Sequence, residues 1–289
     1  MKFFYTIFFK YFEFKRYSYL RNTLNLSQNS VVLGGHHLTY FKSQNTGKPV
    51  IFIHGLLDAS YGFRKIVPLI KEEYQIFLFD IPGFGKSPMP KIKYLYQLDI
   101  FADLIYEAIL NLGLKNITLI GHSMGGLISQ HIALKDKLQK NNIVKKLILI
   151  SSGGTPHKKR DEMKEILFPE NRPQLQRLLR HLYYEKFPEP NIFIQNILIH
   201  AWNSTEYKYL TENTIKREKE IFFGNKIGEA KIPTLILSGL QDEITTPKMM
   251  NTLANYIKGS KLKLIPYAKH AIHLEKPECI AKEINAFLN

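Results

Sequence analysis

The sequence predicts an α/β fold in which a mostly parallel central sheet is covered by helices on both faces. Short, nearly continuous apolar runs recur along the 289 residues, and segments of helical length lie between them. Runs that are rich in Ile, Leu and Phe are typical of strands buried on both faces. Alternation of such strands with helices indicates β-α-β connections.

The predicted strands begin with an antiparallel pair, residues 31–33 and 38–42, around Gly34 and Gly35. Six further apolar runs lie at 50–54, 75–80, 117–120, 147–150, 234–237 and 261–265. Predicted helices occupy 60–71, 94–112, 124–138, 247–258 and 277–288. Ligands bind at the carboxyl ends of the strands in such sheets, so functional residues are expected just after strands.

The chain divides into three predicted parts. Residues 31–154 and 231–289 form the α/β core. Residues 155–230 interrupt the alternation, because they are polar, charged and aromatic with scattered prolines, and we predict that they form an inserted helical cap. Residues 1–30 form an N-terminal arm that is dense in Phe and Tyr.

The arm carries more basic than acidic side chains in residues 1–20. Such a segment predicts either peripheral contact with an anionic membrane or an arm packed on the core. An export signal is a third alternative, although the apolar run 3–9 stops at Lys10 and no small-residue cleavage site follows. We therefore expect a cytoplasmic protein, with the membrane periphery and export as alternatives.

The composition narrows the classes of partner. The net charge of +15 would suit nucleic acid, anionic lipid or acidic substrates. No nucleic-acid-binding motif accompanies it, so no nucleic-acid partner is expected. The single cysteine excludes a disulfide within the chain, and no run approaches the about 20 apolar residues of a membrane-spanning helix. The oligomeric state is left open.

The segment 117–126 (ITLIGHSMGG) carries the strongest chemical pattern. Ser123 stands between a predicted strand and a predicted helix, in the arrangement G-x-S-x-G. A serine on such a sharp turn has a strained backbone and needs small neighbours, which Gly121 and Gly125 supply. Gly126 lets the helix approach the sheet closely. The pattern predicts that Ser123 is a nucleophile.

With this elbow, residues 31–288 resemble the α/β-hydrolase superfamily. The segment His54-Gly55-Leu56-Leu57 is similar to the oxyanion loop of that family, and residues 80–87 (DIPGFGKS) to its D-x-x-G-x-G-x-S loop. Residues 101–126 resemble its helix–strand–elbow block. The resemblance is specific because these motifs occur in the family's order.

The resemblance also implies an acid and a base, which follow the serine in the order Asp or Glu, then His. Residues 239–242 (GLQD) resemble the family's G-x-x-D loop, so Asp242 is the implied acid and Glu243 the alternative. His270 fits the family's spacing to a later E-x-P, whereas His273 does not. Lys269 stands where the family usually has glycine.

The mechanism that the resemblance implies is acyl transfer through an acyl-enzyme. Ser123 attacks a carbonyl carbon, and His270, oriented by Asp242, takes its proton. The backbone N–H groups of Leu56 and Met124 are the implied oxyanion donors. The residues implied to support the elbow and the oxyanion loop are His54, Gly55, Gly121, His122, Gly125 and Gly126. No cofactor and no metal is expected.

The expected substrate is a small carboxylic ester with a medium-chain acyl group, or a monoglyceride. Alternatives within enzymes are a carbon–carbon bond hydrolase of the meta-cleavage type, a thioesterase and an amidase. A non-catalytic binding module on the same scaffold is the alternative from another class. Aromatic residues of the predicted cap are candidates for an acyl pocket, with plain packing as the alternative: Tyr183, Tyr184, Phe187, Phe193, Trp202, Tyr207 and Phe222.

Overall fold

The computed structural model describes residues 2–185 and 190–289, with side chains from residue 8 onward. The strands in this part of the chain are Leu26–Leu33 (β1), His36–Ser43 (β2), Lys48–Ile53 (β3), Tyr74–Phe79 (β4), Ile117–His122 (β5), Val144–Ile150 (β6), Thr234–Gly239 (β7) and Lys261–Ile265 (β8). They form one sheet in the order β1-β2-β4-β3-β5-β6-β7-β8. The pairs β1–β2 and β2–β4 are antiparallel and the other neighbours are parallel. The predicted fold class is confirmed.

The α-helices of the core and the arm are Lys2–Asn22 (α1), Leu98–Asn111 (α2), Met124–Leu138 (α3), Pro247–Tyr256 (α9), Ile272–Glu275 (α10) and Pro277–Leu288 (α11). Between β6 and β7 lie Arg160–Leu167 (α4), Arg172–Leu182 (α5), Ile192–Trp202 (α6), Thr205–Lys216 (α7) and Glu218–Ile221 (α8). The described part of residues 155–230 is therefore helical. Of the residues named above, Phe187 lies outside the described part.

Two apolar clusters cover the two faces of the sheet. In β3, Ile51 and Ile53 belong to the cluster that contains α2, α3 and α9, while Val50 and Phe52 belong to the cluster that contains α1 and α11. All four side chains are buried. Because successive side chains of a strand point to opposite faces, a continuous apolar run buries both.

The predicted helix over residues 60–71 is wrong. This stretch forms two short 3-10 helices, Ser60–Lys65 and Val67–Leu69. Pro68 has no N–H to donate to the preceding turn, so a single α-helix cannot run through it.

The first strand begins at Leu26, earlier than the predicted residue 31 and inside the predicted arm. Its first five residues, LSQNS, carry one apolar side chain, which gave no apolar run to recognise. The later half of the arm packs on the core: Leu20 is buried, and the Tyr17 ring stacks on Phe41 with centroids 5.3 Å apart. No helix within the described residues combines the length and the apolar character needed to cross a bilayer.

Candidate active site

Ser123 lies at the sharp turn between β5 and α3. Its backbone has φ 53° and ψ −117°, a strained conformation for a residue with a side chain. A Cβ atom on Gly121 would overlap the carbonyl of Gly125, and one on Gly125 would overlap the carbonyl of Ile53. Only glycine fits these two positions, and the turn presents Ser123 at the carboxyl edge of the sheet.

Two backbone N–H groups flank this serine. Met124 is the first residue of α3, so its N–H has no partner within the helix. Leu56 follows Gly55, whose Cα faces the serine so closely that an added Cβ would lie 3.1 Å from Ser123 Cβ. Leu56, Met124 and Ser123 line one cavity. On the other side of the turn, Gly126 lies against Ser152 of the loop after β6.

The structure brings His270 and Asp242 together although 28 positions separate them in the chain. The His270 Nδ1–H donates to Asp242 Oδ2 over 2.9 Å, and both side chains are buried. This bond fixes the tautomer in which Nε2 carries a free lone pair. His270 lines the same cavity as Ser123. A base in this tautomer can accept a proton inside the cavity.

Asp242 is held by its own loop. Its Oδ1 accepts from the N–H groups of Ile244 (2.8 Å) and Thr245 (3.0 Å), and its Oδ2 accepts from the Thr245 hydroxyl (2.8 Å). With the imidazole, these donors fill the acceptor positions of a carboxylate. Thr245 Oγ1 also lies 3.3 Å from His270 Nδ1. Thr245 was missed in the sequence, where a threonine three residues after the acid has no distinguishing pattern.

Among the described residues, Ser123 Oγ and His270 Nε2 are not joined by a hydrogen bond. Catalytic hydrogen bonds are often long in ligand-free enzymes and shorten when substrate binds.

Glu243, the alternative acid, points away from the base. Its carboxylate is about half exposed and pairs with Lys269 Nζ over 2.8 Å. Lys269 also donates its N–H to Glu275 Oε2 (2.8 Å) and its ammonium to the carbonyl of Arg180 in α5 (2.7 Å). The left-handed residue of this loop is Tyr267, at φ 54°, so the turn does not require glycine at position 269.

His54 and His122 support the two loops that meet at the serine. His54 Nε2 accepts from the Ile81 N–H (3.0 Å), and its Nδ1 donates to the carbonyl of Gly55 (2.8 Å). His122 Nε2 donates to the carbonyl of His270 over 3.1 Å and so links the elbow to the base loop. Burial, with His273 and His270 nearby, holds the pKa of His122 well below its ordinary value. His122 therefore stays uncharged at neutral pH.

His273 lies beside this linkage, fully buried and lining the cavity. Its ring is 4.2 Å from that of His122, centroid to centroid. Burial lowers the pKa of His273 to about 3, so this side chain is neutral as well. Asp58 also lines the cavity, and burial raises the pKa of its carboxyl.

The cavity above Ser123 has a volume of about 280 Å³ and a mostly apolar lining. Three of the aromatic candidates, Tyr183, Trp202 and Phe222, line it. The others have different positions: Tyr207 stacks on Phe84, Phe193 packs on Phe8, and Tyr184 is exposed. The apolar walls also include leucines of α5 and α7 and of the loop after β3.

Several known proteins are similar to this chain along most of its length. An uncharacterised hydrolase, YugF, of Bacillus subtilis is 26% identical, with 88% of this chain and 95% of the relative aligned. The 2-hydroxy-6-oxo-6-(2'-aminophenyl)hexa-2,4-dienoic acid hydrolase of Metapseudomonas resinovorans is 24% identical, over 89% of each. Lipase 1 of Psychrobacter immobilis is 27% identical, over 93% of this chain and 86% of the relative.

Among solved structures, a bacterial membrane phospholipase A superposes with a TM-score of 0.82 at 21% identity, over 96% of this chain and 91% of that one. This likeness shows the fold. A family model described as the alpha/beta hydrolase fold matches residues 48–277, which include the elbow, the oxyanion loop and the His270 loop. The chain therefore belongs to the α/β-hydrolase family and is a hydrolase.

Proposed function

We propose that the protein cleaves carboxylic esters through a triad of Ser123, His270 and Asp242. The observation that carries the proposal is the buried 2.9 Å hydrogen bond between His270 and Asp242 in a cavity that Ser123 also lines. A hydroxyl is a weak nucleophile until a neighbouring base takes its proton, and His270 in this tautomer is such a base. Asp242 then stabilises the imidazolium that forms.

The reaction proceeds in two halves. Ser123 Oγ attacks the ester carbonyl, His270 receives the proton and passes it to the leaving alcohol, and an acyl-enzyme remains. His270 then takes a proton from water as the water attacks the acyl carbon, and it returns that proton to Ser123 Oγ as the acid leaves. The N–H groups of Leu56 and Met124 are the proposed donors to the oxyanion in both halves. Losing one such donor typically costs about 3–4 kcal/mol of transition-state stabilisation.

The cavity favours an apolar acyl group. Its walls include leucines, Trp202 and Phe222, and burying one CH₂ group contributes about 0.8 kcal/mol. A medium acyl chain, or the chain of a monoglyceride, is therefore the proposed substrate portion inside the cavity. The lipase among the relatives is in keeping with this proposal.

The carbon–carbon bond hydrolase is the second candidate, because one relative is named for a dienoic acid. A carboxylate buried in such a site needs a cationic partner or several donors. Within the described residues the cavity lining contains no Lys or Arg, while it does contain Asp58. On charge alone, a neutral ester suits this lining better than an anionic dienoate does.

The test combines a probe with a substrate series. A fluorophosphonate should label the wild type and not Ser123→Ala, and no labelling of the wild type would favour a non-catalytic binding module. Hydrolysis of p-nitrophenyl esters should rise with acyl length to a maximum set by the cavity. Hydrolysis rates of the thioester and the amide with the best acyl group, compared with the rate for the ester, test the thioesterase and amidase alternatives. Turnover of a dienoate ketone alone would overturn the ester proposal.

We also propose that α1 touches an anionic membrane from the cytoplasmic side. Tyr11 and Phe14 are 50% and 60% exposed, and Lys10 and Lys15 are exposed beside them. Aromatic rings and cations on one helix face suit the boundary between headgroups and acyl chains. The buried Tyr17 and Leu20 would meanwhile keep the helix on the core.

Flotation with vesicles that contain anionic lipid tests this contact. Phe14→Ser should reduce the fraction of protein bound to vesicles severalfold, because the variant lacks the large exposed ring that would enter the membrane interface. Tyr94→Ser is the matched control, since Tyr94 is an exposed aromatic residue outside the arm. Point variants are preferable to removing residues 1–30, which would delete part of β1. Equal flotation of Phe14→Ser and the wild type would show that this face of α1 does not bind the membrane.

A further inference from the structure

A cluster of three side chains of types that bind metals lies in the cavity next to Ser123, and none of the three takes a direct part in the proposed reaction. Asp58, His122 and His273 each place one donor atom within 4.8 Å of the others. They come from the loop after β3, from the end of β5 and from α10. No spacing in the sequence brings them together, which is why no metal motif was recognisable there.

The nitrogens of this cluster are unpartnered although they are buried. His122 Nδ1 and both ring nitrogens of His273 make no hydrogen bond within the described chain. Buried polar atoms are nearly always bonded to protein, water or an ion, so these unpartnered nitrogens point to a bound species, and one nitrogen of each ring lies within reach of Asp58. The free Nδ1 of His122 has the usual support of a metal ligand, because its other nitrogen donates to the carbonyl of His270.

We propose that Asp58, His122 and His273 form a binding site for one Zn²⁺ ion. Two imidazoles and a carboxylate are ligands that zinc takes, with solvent in the remaining position. Tetrahedral ligands at Zn–N and Zn–O distances of about 2.0–2.2 Å lie about 3.3 Å from one another, so the side chains must close by an ångström or so. The open cavity provides the entry path.

Charged residues around the proposed site limit its affinity for zinc. Arg64 and Lys65 act on His273, and Arg16 and Arg64 on Asp58, through their positive charges. These cations oppose a second positive ion, whereas the carboxylate of Asp58 favours it. The site is therefore one that fills when zinc is supplied, and the bound ion would occupy the space in front of Ser123. Inhibition of ester hydrolysis by zinc follows, and this consequence rests on the proposed function.

Binding is measured without activity, by titrating Zn²⁺ into the full-length Ser123→Ala protein in a calorimeter. We expect one site per chain, at least tenfold weakening in Ser123→Ala with His273→Gln, and no change with His37→Gln, an exposed histidine on β2. Co²⁺ in place of Zn²⁺ should give visible ligand-field bands that the His273→Gln variant loses. Unchanged zinc affinity in His273→Gln, or no bound zinc in Ser123→Ala, would overturn the site.

A second variant and an inhibition assay complete the test of the zinc site. If the fluorescence of the single Trp202 shows that His273→Gln has not folded, Asp58→Asn replaces it with the same expected weakening. In active protein, zinc should inhibit ester hydrolysis at the concentrations where it binds, and EDTA should reverse the inhibition. A protein that binds zinc through His273 but hydrolyses no ester would retain this site and refute the proposed function instead.

Discussion

Asp242 and Glu243 are adjacent acids, and their surroundings separate their roles. Asp242 is buried against His270, whereas Glu243 is about half exposed and pairs with Lys269. We predict that Asp242→Asn lowers kcat by about 10⁴-fold, because an amide leaves the imidazole in the wrong tautomer. Glu243→Gln should change kcat less than about threefold, since a surface ion pair contributes little. The rate of ester hydrolysis at saturating substrate measures kcat for both variants. A larger loss in Glu243→Gln than in Asp242→Asn would make Glu243 the acid.

We propose Thr245 as a positioning residue, from contacts that the structure adds. Its hydroxyl donates to Asp242 Oδ2, and a hydrogen bond to a charged group is worth about 1.5–3 kcal/mol. Thr245→Val should therefore lower kcat about 10- to 100-fold while leaving KM nearly unchanged, because the side chain acts on the acid and not on the substrate. Thr252→Val, on the exposed face of α9, is the control. A change confined to KM would contradict a role through Asp242.

The proposed serine, acid and base could be named from the sequence because each of their motifs is local in the chain. The G-x-S-x-G turn, the G-x-x-D loop and the His270 loop each need particular residues at a fixed spacing. Thr245 is close to Asp242 in the chain but belongs to no recognisable motif. The pair of His122 and His273 depends on contacts between distant loops, and such contacts leave no local pattern. Asp58 and His273, for example, lie near each other because α10 packs against the 3-10 helix Ser60–Lys65.

At the scale of elements, apolar runs predicted the strands well where both faces are buried. The polar start of β1 was missed because an antiparallel edge strand buries little of its surface, and the helix over 60–71 was wrong because Pro68 breaks it. Contacts between elements that are made by buried polar groups also could not be predicted from the sequence. Asp80, for example, accepts from the Ser60 N–H (2.7 Å) and from the Tyr17 hydroxyl (3.2 Å), and so connects α1 to the start of the first 3-10 helix.

Asp136 is the clearest case of such a link. It lies near the end of α3, is buried, and accepts from the N–H groups of Ile143 (3.1 Å) and Val144 (3.0 Å) at the start of β6. Asp136→Ala leaves these donors without a partner and should lower the free energy of unfolding by about 2–4 kcal/mol. Asp103→Ala removes an exposed carboxylate paired with Lys135 and should cost less than about 1 kcal/mol. Urea denaturation measures both, and equal losses would refute the link.

At the scale of the whole molecule, α3 meets the 155–230 segment through a histidine. His131 Nε2 donates to the carbonyl of Ile221 over 2.9 Å, and its ring lies 4.3 Å from that of Phe223. Burial lowers the pKa of His131 below its ordinary value. The folded protein therefore resists protonation there, while the unfolded chain takes up a proton below about pH 6.5.

Because the unfolded chain binds more protons in that range, the free energy of unfolding rises with pH and falls on acidification, by at most about 1.4 kcal/mol per pH unit from this group. His131→Gln keeps an N–H donor for Ile221 but cannot be protonated. We predict that this variant loses less stability than the wild type between pH 7 and pH 5, and that His37→Gln, an exposed control, loses as much as the wild type. Urea denaturation at pH 7, 6 and 5 measures the slopes. Parallel slopes for wild type and His131→Gln would mean that the contact between α3 and the 155–230 segment does not sense acid through this imidazole.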